Sequence, residues 1–427
     1  MTQRAGDEGS GPVRMMRRIR RVEGVETVSM RLLLCGGSRS EKLPGLSWVT
    51  GRMLVEGSSL RDWRRIAADS DELGMVLTSF GGLENHGLRL DCLARDWRQG
   101  LRWLAELVLE SSFPQDRCRW ICQQAAAELE SLADQPDVKT GWAFAKQLYH
   151  PHAGGRPLQG EAAVLAKMTD RDCASFHEDG LARGGVLSVA GDIDPDEAHR
   201  LVEELFGSIN EEPLALDSVP PPAGLRVDRQ EVETQARDQA QLLMGHLTIP
   251  LRHPDYRALE ALSVILGSGA GLTGRVPTRI REKEGLAYTA YATATAGSGL
   301  DPGRLLVVAA TSPDSLERAE TCIVEELSRL LEDGIEESEL DDARSYLLGR
   351  EPFRRETARQ WASLDAQAAF YGVDLDDPDW LSRGLENLDT ASLLAVSREH
   401  LSIDNLKTTV GLPAESASEP DGPTGSA

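Results

Sequence analysis

The feature that most constrains this chain is a supersecondary pattern written twice, once on each side of a proline-rich midpoint. Before the midpoint, the strand-like run Gly87–Ala94 leads into a helix with Trp97, Leu101, Leu104 and Val108 on one face, then into a second helix from Gln115. After it, Gly303–Thr311 leads into a helix with Ala319, Ile323, Leu327 and Leu330 on one face, then into a helix near Glu337–Leu348. The match is one of pattern and spacing, not of identity. Strand runs interleaved with long amphipathic helices predict an α+β class: two like domains, each a mostly antiparallel or mixed sheet with helices packed on it. Between them, NEEPLALDSVPPPAG (Asn210–Gly224) carries three consecutive prolines and reads as a linker that few contacts cross. The expected boundaries are an N-terminal domain over 1–210, a linker over 211–224 and a C-terminal domain over 225–411. A frayed tail is expected over 412–427, where LPAESASEPDGPTGSA lacks the apolar bulk to offset the entropy of ordering.

Charge and composition remove several function classes. Lys and Arg total 46 against 69 Asp and Glu, a net charge of −23, which repels phosphate backbones and argues against a nucleic-acid partner. No run approaches the roughly 18 apolar residues that a membrane helix needs. The absence of a span or a secretory signal predicts a cytoplasmic protein. Six cysteines in 427 residues, with no CxxC pair, offer neither a disulfide framework nor a zinc knuckle, and are expected as small buried hydrophobes. The basic run Arg17, Arg18, Arg20, Arg21 is expected on the solvated face of an edge strand.

Four local motifs are candidates for chemistry. Gly269, Gly271 and Gly274 spell GxGxxG, but a helical pattern precedes them where a dinucleotide loop needs a strand, so a glycine-rich turn is expected. His150 and His152 alternate in a loop without a recognisable third ligand and read as solvent-facing residues. Glu128 falls on the apolar stripe of the helix Asp116–Leu132, formed with Cys118, Ile121, Ala125 and Leu132. A carboxylate there needs a partner, either an arginine or a metal. In REKEGLAY (Arg281–Tyr288), Arg281 and Tyr288 flank a glycine turn: either a C-capped helix running into a strand, or a guanidinium and a phenol placed to hold a carbonyl.

The order of these segments resembles the pitrilysin/insulinase metallopeptidases, in particular their mitochondrial-processing-peptidase-like branch. The resemblance covers nearly the whole chain. Its second-half motif, R-E-x-x-G-L-A-Y, stands here as Arg281, Glu282, Gly285, Leu286, Ala287 and Tyr288. Its first-half motif, HxxEH followed by M-L-F-x-G-T, is matched by WVTGR followed by MLVEGS, with the register fixed by Met53, Leu54 and Gly57. That register puts Trp48 and Arg52 where the two zinc histidines belong and Gly51 where the general-base glutamate belongs. Glu128 falls at the spacing of the third ligand, followed by a family-like Asp134 and Pro136.

An indole offers no ligand lone pair and an arginine repels a cation, so the resemblance implies a degenerate zinc motif and no cofactor in this chain. Glu128 becomes a relic metal-ligand position, with Arg52 expected to neutralise it in place of zinc. The resemblance further implies a chain inactive alone that binds substrate through Arg281 and Tyr288. Its partner would be an HxxEH-bearing homologous subunit that holds the zinc, and its substrate a peptide. A structural scaffold, or a pseudopeptidase for peptide binding or maturation, is the alternative.

Overall fold

The computed structural model describes residues 13–207, 209–210, 212, 214–235, 238–269, 273–373 and 384–414. Gly271 of the glycine run and the tail from 415 lie outside the described residues. The chain is α+β. The strands of the first half are β1 (Val13–Arg21), β2 (Thr27–Cys35), β3 (Val76–Gly81), β4 (Asn85–Leu93), β5 (Gly185–Gly191) and the two-residue β6 (Ile209–Asn210), in the order β3-β4-β2-β5-β1-β6. Those of the second half are β7 (Arg229–Thr234), β8 (Ala240–Leu247), β9 (Ala287–Ala296), β10 (Arg304–Thr311) and β11 (Lys407–Pro413), in the order β9-β10-β8-β11-β7. Apart from β6, the two orders are the same. In each half the first strand pairs parallel with its counterpart late in the half, β1 with β5, Ile19 opposite Val189, and β7 with β11, Glu231 opposite Val410. β6 also pairs parallel with β1, and the remaining pairings are antiparallel.

The helices repeat the plan. The first half carries α1 (Leu46–Met53), α2 (Trp63–Glu72), α3 (Trp97–Leu109), α4 (Gln115–Ala133), α5 (Pro136–Tyr149), the short α6 (Ala162–Leu165), α7 (Asp170–Arg183) and α8 (Pro195–Phe206). The second carries α9 (Tyr256–Ser263), the short α10 (Arg275–Pro277), α11 (Leu316–Asp333), α12 (Glu337–Arg350), α13 (Ala358–Tyr371) and α14 (Thr390–His400). The apolar stripes read from sequence are the buried ones: Trp97, Leu101, Leu104 and Val108 on α3, and Ala319, Ile323, Leu327 and Leu330 on α11.

What the sequence does not foretell is an exchange of helices. α13 belongs to the second half but packs on the first sheet, against β5, β2 and β1, setting Ala366, Ala369 and Phe370 on Leu33, Cys35 and Val186. In return α5 packs on the second sheet, with Phe144, Leu148 and Tyr149 around Leu243. The exchange explains why β5 is buried at every position: helices of its own half lie on one face and α13 on the other.

The exchange also corrects the expectation for the basic run. β1 is not a solvated edge. Arg20 makes a two-pronged ion pair with the buried Asp365 of α13, at 2.7 and 2.9 Å, and lies over Trp361, while Arg17 pairs with Glu203. The proline-rich segment is likewise pinned. Leu214 and Leu216 join the core under α13, Asp217 pairs with Arg183, and Gly224 N donates to His150 O at 2.8 Å. His152 is buried, not solvent-facing: its Nε2 lies 3.1 Å from Asp301, which also takes both prongs of Arg39 at 2.8 and 2.9 Å. All six cysteines are buried, with no disulfide between them.

Candidate functional site

The segment at the zinc-motif register is α1. The chain enters it through Gly45 in the left-handed region, φ 92°, where Glu41 caps the helix start by accepting from Gly45 N and Ser47 N at 2.9 and 2.8 Å. Burial pushes the Glu41 carboxyl up, against the pull of those two N–H groups and of Arg156, whose guanidinium sits 2.9 Å away. A fixed anion on a helix N-terminus anchors the segment. α1 then runs between α4, α7 and the edge strand β3.

Gly51 lies on β3 so closely that a Cβ built there would be 2.2 Å from the Phe80 carbonyl oxygen and 2.4 Å from Gly81 N. The approach is mutual, since a Cβ on Gly81 would be 2.0 Å from Ser47 O. The position of the general base is therefore filled by backbone. Trp48 is buried, and Arg52, exposed, stacks its guanidinium 4.4 Å from the indole centre. Glu128, half-buried on α4, accepts from Gln159 Nε2 at 2.9 Å. No ion pair joins Arg52 to Glu128 among the described residues, which corrects the expectation that the arginine neutralises the carboxylate. An indole, a stacked guanidinium and a glycine with no room for a side chain do not fit a zinc ion, and Glu128 alone cannot hold one.

The second-half motif is built differently. α10 continues as a wide π-type turn over Thr278–Lys283, and Gly285, at φ 64°, reverses the chain into β9. The turn is tied by Glu284, which pairs with Arg279 at 3.1 Å and Arg318 at 2.9 Å, while Arg279 also takes Glu325. Hydrogen bonds and charges from Arg318 and Arg279 hold the Glu284 carboxyl below its ordinary range. With Arg279 so engaged, Arg281 forms no ion pair with a carboxylate among the described residues. Its guanidinium instead lies 5.6 Å from the ring centre of Tyr288, whose side chain is 80% exposed on β9. β9 is the terminal strand of its sheet. The structure thus brings Arg281 and Tyr288 together, and it brings Trp48 and Arg52 together. No hydrogen bond, ion pair or ring contact joins either pair to the other or to Glu128.

The sequence reading missed Glu41 and Gln159. Glu41 stands just ahead of the helix start and was legible as a capping carboxylate; Gln159 reaches Glu128 from a distant loop and carries no local signal.

The chain is similar to known proteins in sequence and in fold. Residues 185–347 match the family model described as "Peptidase M16 inactive domain". Among curated relatives, "Uncharacterized zinc protease YmxG" of Bacillus subtilis is 26% identical over 328 residues, covering 76% of this chain and 78% of its own. "Uncharacterized zinc protease ML0855" of Mycobacterium leprae is 29% identical over 347 residues, covering 79% and 76%. Among solved structures, a peptidase M16 inactive domain from Pseudomonas fluorescens superposes with a TM-score of 0.83 at 24% identity, covering 94% of this chain and 96% of that one. A protease from Helicobacter pylori gives 0.82 at 18% identity, covering 92% and 96%. These superpositions establish the shared fold. The described residues contain no helix long and apolar enough to cross a membrane. Together these matches show similarity to the peptidase M16 inactive domain over residues 185–347 and to chains named zinc proteases over about three quarters of this chain.

Proposed function

We propose that this chain is a non-catalytic, substrate-binding partner subunit of a heteromeric zinc metallopeptidase acting on peptides or unfolded proteins. One contrast carries the reading. The metal-motif register is sealed, with Gly51 against the Phe80 carbonyl, while a half-buried Arg281 in the turn before β9 stands beside Tyr288, exposed on that terminal strand. A homologous chain with an intact HxxEH supplies the zinc, which would activate a water and polarise the scissile carbonyl there. The task of this chain is to grip. The Arg281 fork donates two N–H groups to a peptide carbonyl, and the Tyr288 hydroxyl donates a third hydrogen bond to the same region. The outer edge of β9, which pairs with no strand among the described residues, offers backbone groups to an extended peptide.

The test mixes the purified chain with an HxxEH-bearing homologue from the same genome and follows cleavage of an unfolded peptide. Arg281→Ala is expected to lower turnover of the mixture by about 10²–10³-fold, the usual effect of losing an oxyanion donor, with the fold unchanged. An unchanged rate would count against the assignment. Peptide binding that is lost on Tyr288→Phe, with no cleavage by any mixture, would instead make the chain a peptide-holding pseudopeptidase. No binding at all would make it a scaffold.

A further inference from the structure

A second constellation lies away from both motifs, where the turn before α9 meets the end of α14. His253, Pro254 and Asp255 form the turn, with Asp255 as the N-cap of α9, and His400 is the last residue of α14. One ligand atom from each of His253, Asp255 and His400 lies within 4.8 Å of the other two. His400 Nε2 is 2.8 Å from Asp255 Oδ2, and His253 Nδ1 is 3.6 Å from the same oxygen. The two imidazoles meet edge to face, with centroids 5.1 Å apart at 85°.

Three properties go beyond an ordinary ion pair. The first is an exchangeable lone pair: His253 Nδ1 accepts only a long hydrogen bond from Asp255 N, at 3.2 Å, which an ion would displace to take that lone pair. The second is spacing. Ligands about 2.1 Å from a tetrahedral ion stand roughly 3.4 Å apart, and the separations to Asp255 of 2.8 and 3.6 Å bracket that value. The third is access and preorganisation. His400 is nearly enclosed, its side chain 11% exposed, while His253 is 33% exposed, which leaves a path for an ion and for water. Pro254 fixes the turn between its two flanking ligands, and the C-terminal end of α14 favours a cation beside His400.

We infer that His253, Asp255 and His400 form a binding site for a divalent transition metal of the zinc class, with water completing the coordination. Two imidazoles and one carboxylate suit zinc and its first-row neighbours over magnesium or calcium, which prefer all-oxygen shells. The bound ion ties the start of α9 to the end of α14, and α9 lies against β9, the strand that carries Tyr288. The site is independent of the partner-subunit reading: its ligands are far in sequence from WVTGR, and it makes this chain metal-binding without making it a peptidase.

The experiment uses the full chain, free of any affinity tag and stripped with a chelator. It is titrated with Co²⁺ followed by its visible absorption, and with Zn²⁺ in competition with a chromophoric chelator. The wild type is expected to take one equivalent, with the intense visible band of four- or five-coordinate cobalt. His400→Ala and His253→Gln are each expected to weaken that equivalent by at least about 10–100-fold, the loss that removing even an outer supporting partner causes. Should His400→Ala fail to fold, His253→Gln, at a third-exposed position, carries the comparison. Equal binding by the wild type and the His253→Gln/His400→Ala double variant overturns the inference, as does a thiolate-to-cobalt charge-transfer band, which would place the ion at the cysteines. Arg281→Ala must retain the metal. Loss of metal binding in the double variant with stimulation of the partner kept supports this site alone. Absence of stimulation with the metal site intact sinks only the partner reading.

Discussion

The sealing of α1 onto β3 is the observation on which the non-catalytic reading turns, and Gly51→Ala probes it directly. Ordinary contact begins near 3.4 Å, whereas the new Cβ would sit 2.2 Å from the Phe80 oxygen and 2.3 Å from its carbonyl carbon. These are backbone atoms, which cannot swing aside, so α1 and β3 must part by about 1 Å in a region packed at crystal density. Overpacking of this kind costs about 1–3 kcal/mol, and the obstacle here belongs at the upper end. Alanine returns about 1 kcal/mol of helix propensity over glycine, which leaves a net loss of about 2 kcal/mol. Because the helix exchange joins the halves into one cooperative unit of some 400 residues, that is a fall of roughly 2–3 °C in melting temperature, measurable by circular dichroism with a urea titration beside it. A variant as stable as the wild type would show that α1 does not lie on β3 as described. The same geometry forecasts what rebuilding the motif does. Trp48→His, Gly51→Glu and Arg52→His together, made in the His253→Gln/His400→Ala background, should yield a destabilised chain without zinc-dependent cleavage. Cleavage at wild-type stability would refute the reasoning.

Acid should destabilise the fold through its buried histidines. Burial, reinforced by neighbouring His177, pushes His86 from 6.5 to about 3, and burial also lowers His177 and His246. As pH falls through 6.5 the unfolded chain takes up these protons first, so stability present above 6.5 drains away toward about 3, by up to about 5 kcal/mol for His86 alone. A urea midpoint unchanged between pH 7 and pH 5 would contradict this. Asp301 belongs to a lower window: burial works to raise its carboxyl, but hydrogen bonds and charges from Arg39 and His152 outweigh it and hold it well below the usual range. That contribution is lost only as pH falls below the ordinary carboxylate value. Asp301→Ala leaves the Arg39 guanidinium, 8% exposed, without its partner across the two halves. The expected cost is about 3–5 kcal/mol by denaturant titration, and a loss under about 1 kcal/mol would remove this bridge from the account. Finally, residues 1–224 and 225–427 made separately should each lack a helix over one sheet face, stay loosely packed and regain sharp unfolding when mixed; cooperative unfolding of either half alone would contradict the helix exchange.

The duplicated plan was legible because it rests on local periodicity: the stripes of α3 and α11 face inward residue for residue. The helix exchange was not, because α5 and α13 show an apolar face without an address, and only tertiary packing decides which sheet receives it. The same blindness misplaced the basic run. Arg20 looks solvent-bound until α13 brings Asp365 and Trp361 from the other half of the chain. At the site, the Arg281–Tyr288 pair was readable as two residues flanking a glycine turn, and the structure adds that Arg281 forms no ion pair with a carboxylate and that Tyr288 is exposed. Gly51 was readable as a lost carboxylate, but not as a contact that excludes one. The His253–Asp255 spacing was visible in HPD, whereas His400, 145 residues after Asp255, had no local link to it.

The asymmetry between the halves has a physical basis in their shared plan. Each half ends its sheet in an edge strand, β3 or β9, with a helix lying against it, α1 or α9. In the first half two glycines, Gly51 and Gly81, let helix and strand meet at backbone contact. A cavity fit for an ion and an attacking water cannot survive there, whatever side chains stand at Trp48 and Arg52. In the second half, the Gly285 reversal and the Glu284 ion pairs shape the turn into β9, which leaves the Tyr288 ring exposed beside the half-buried Arg281. An exposed tyrosine on an unpaired terminal strand is a surface that docking or pairing would cover. On the partner-subunit reading proposed above, this chain keeps the gripping half of a site, and the chemistry of the other half would arrive on a second chain.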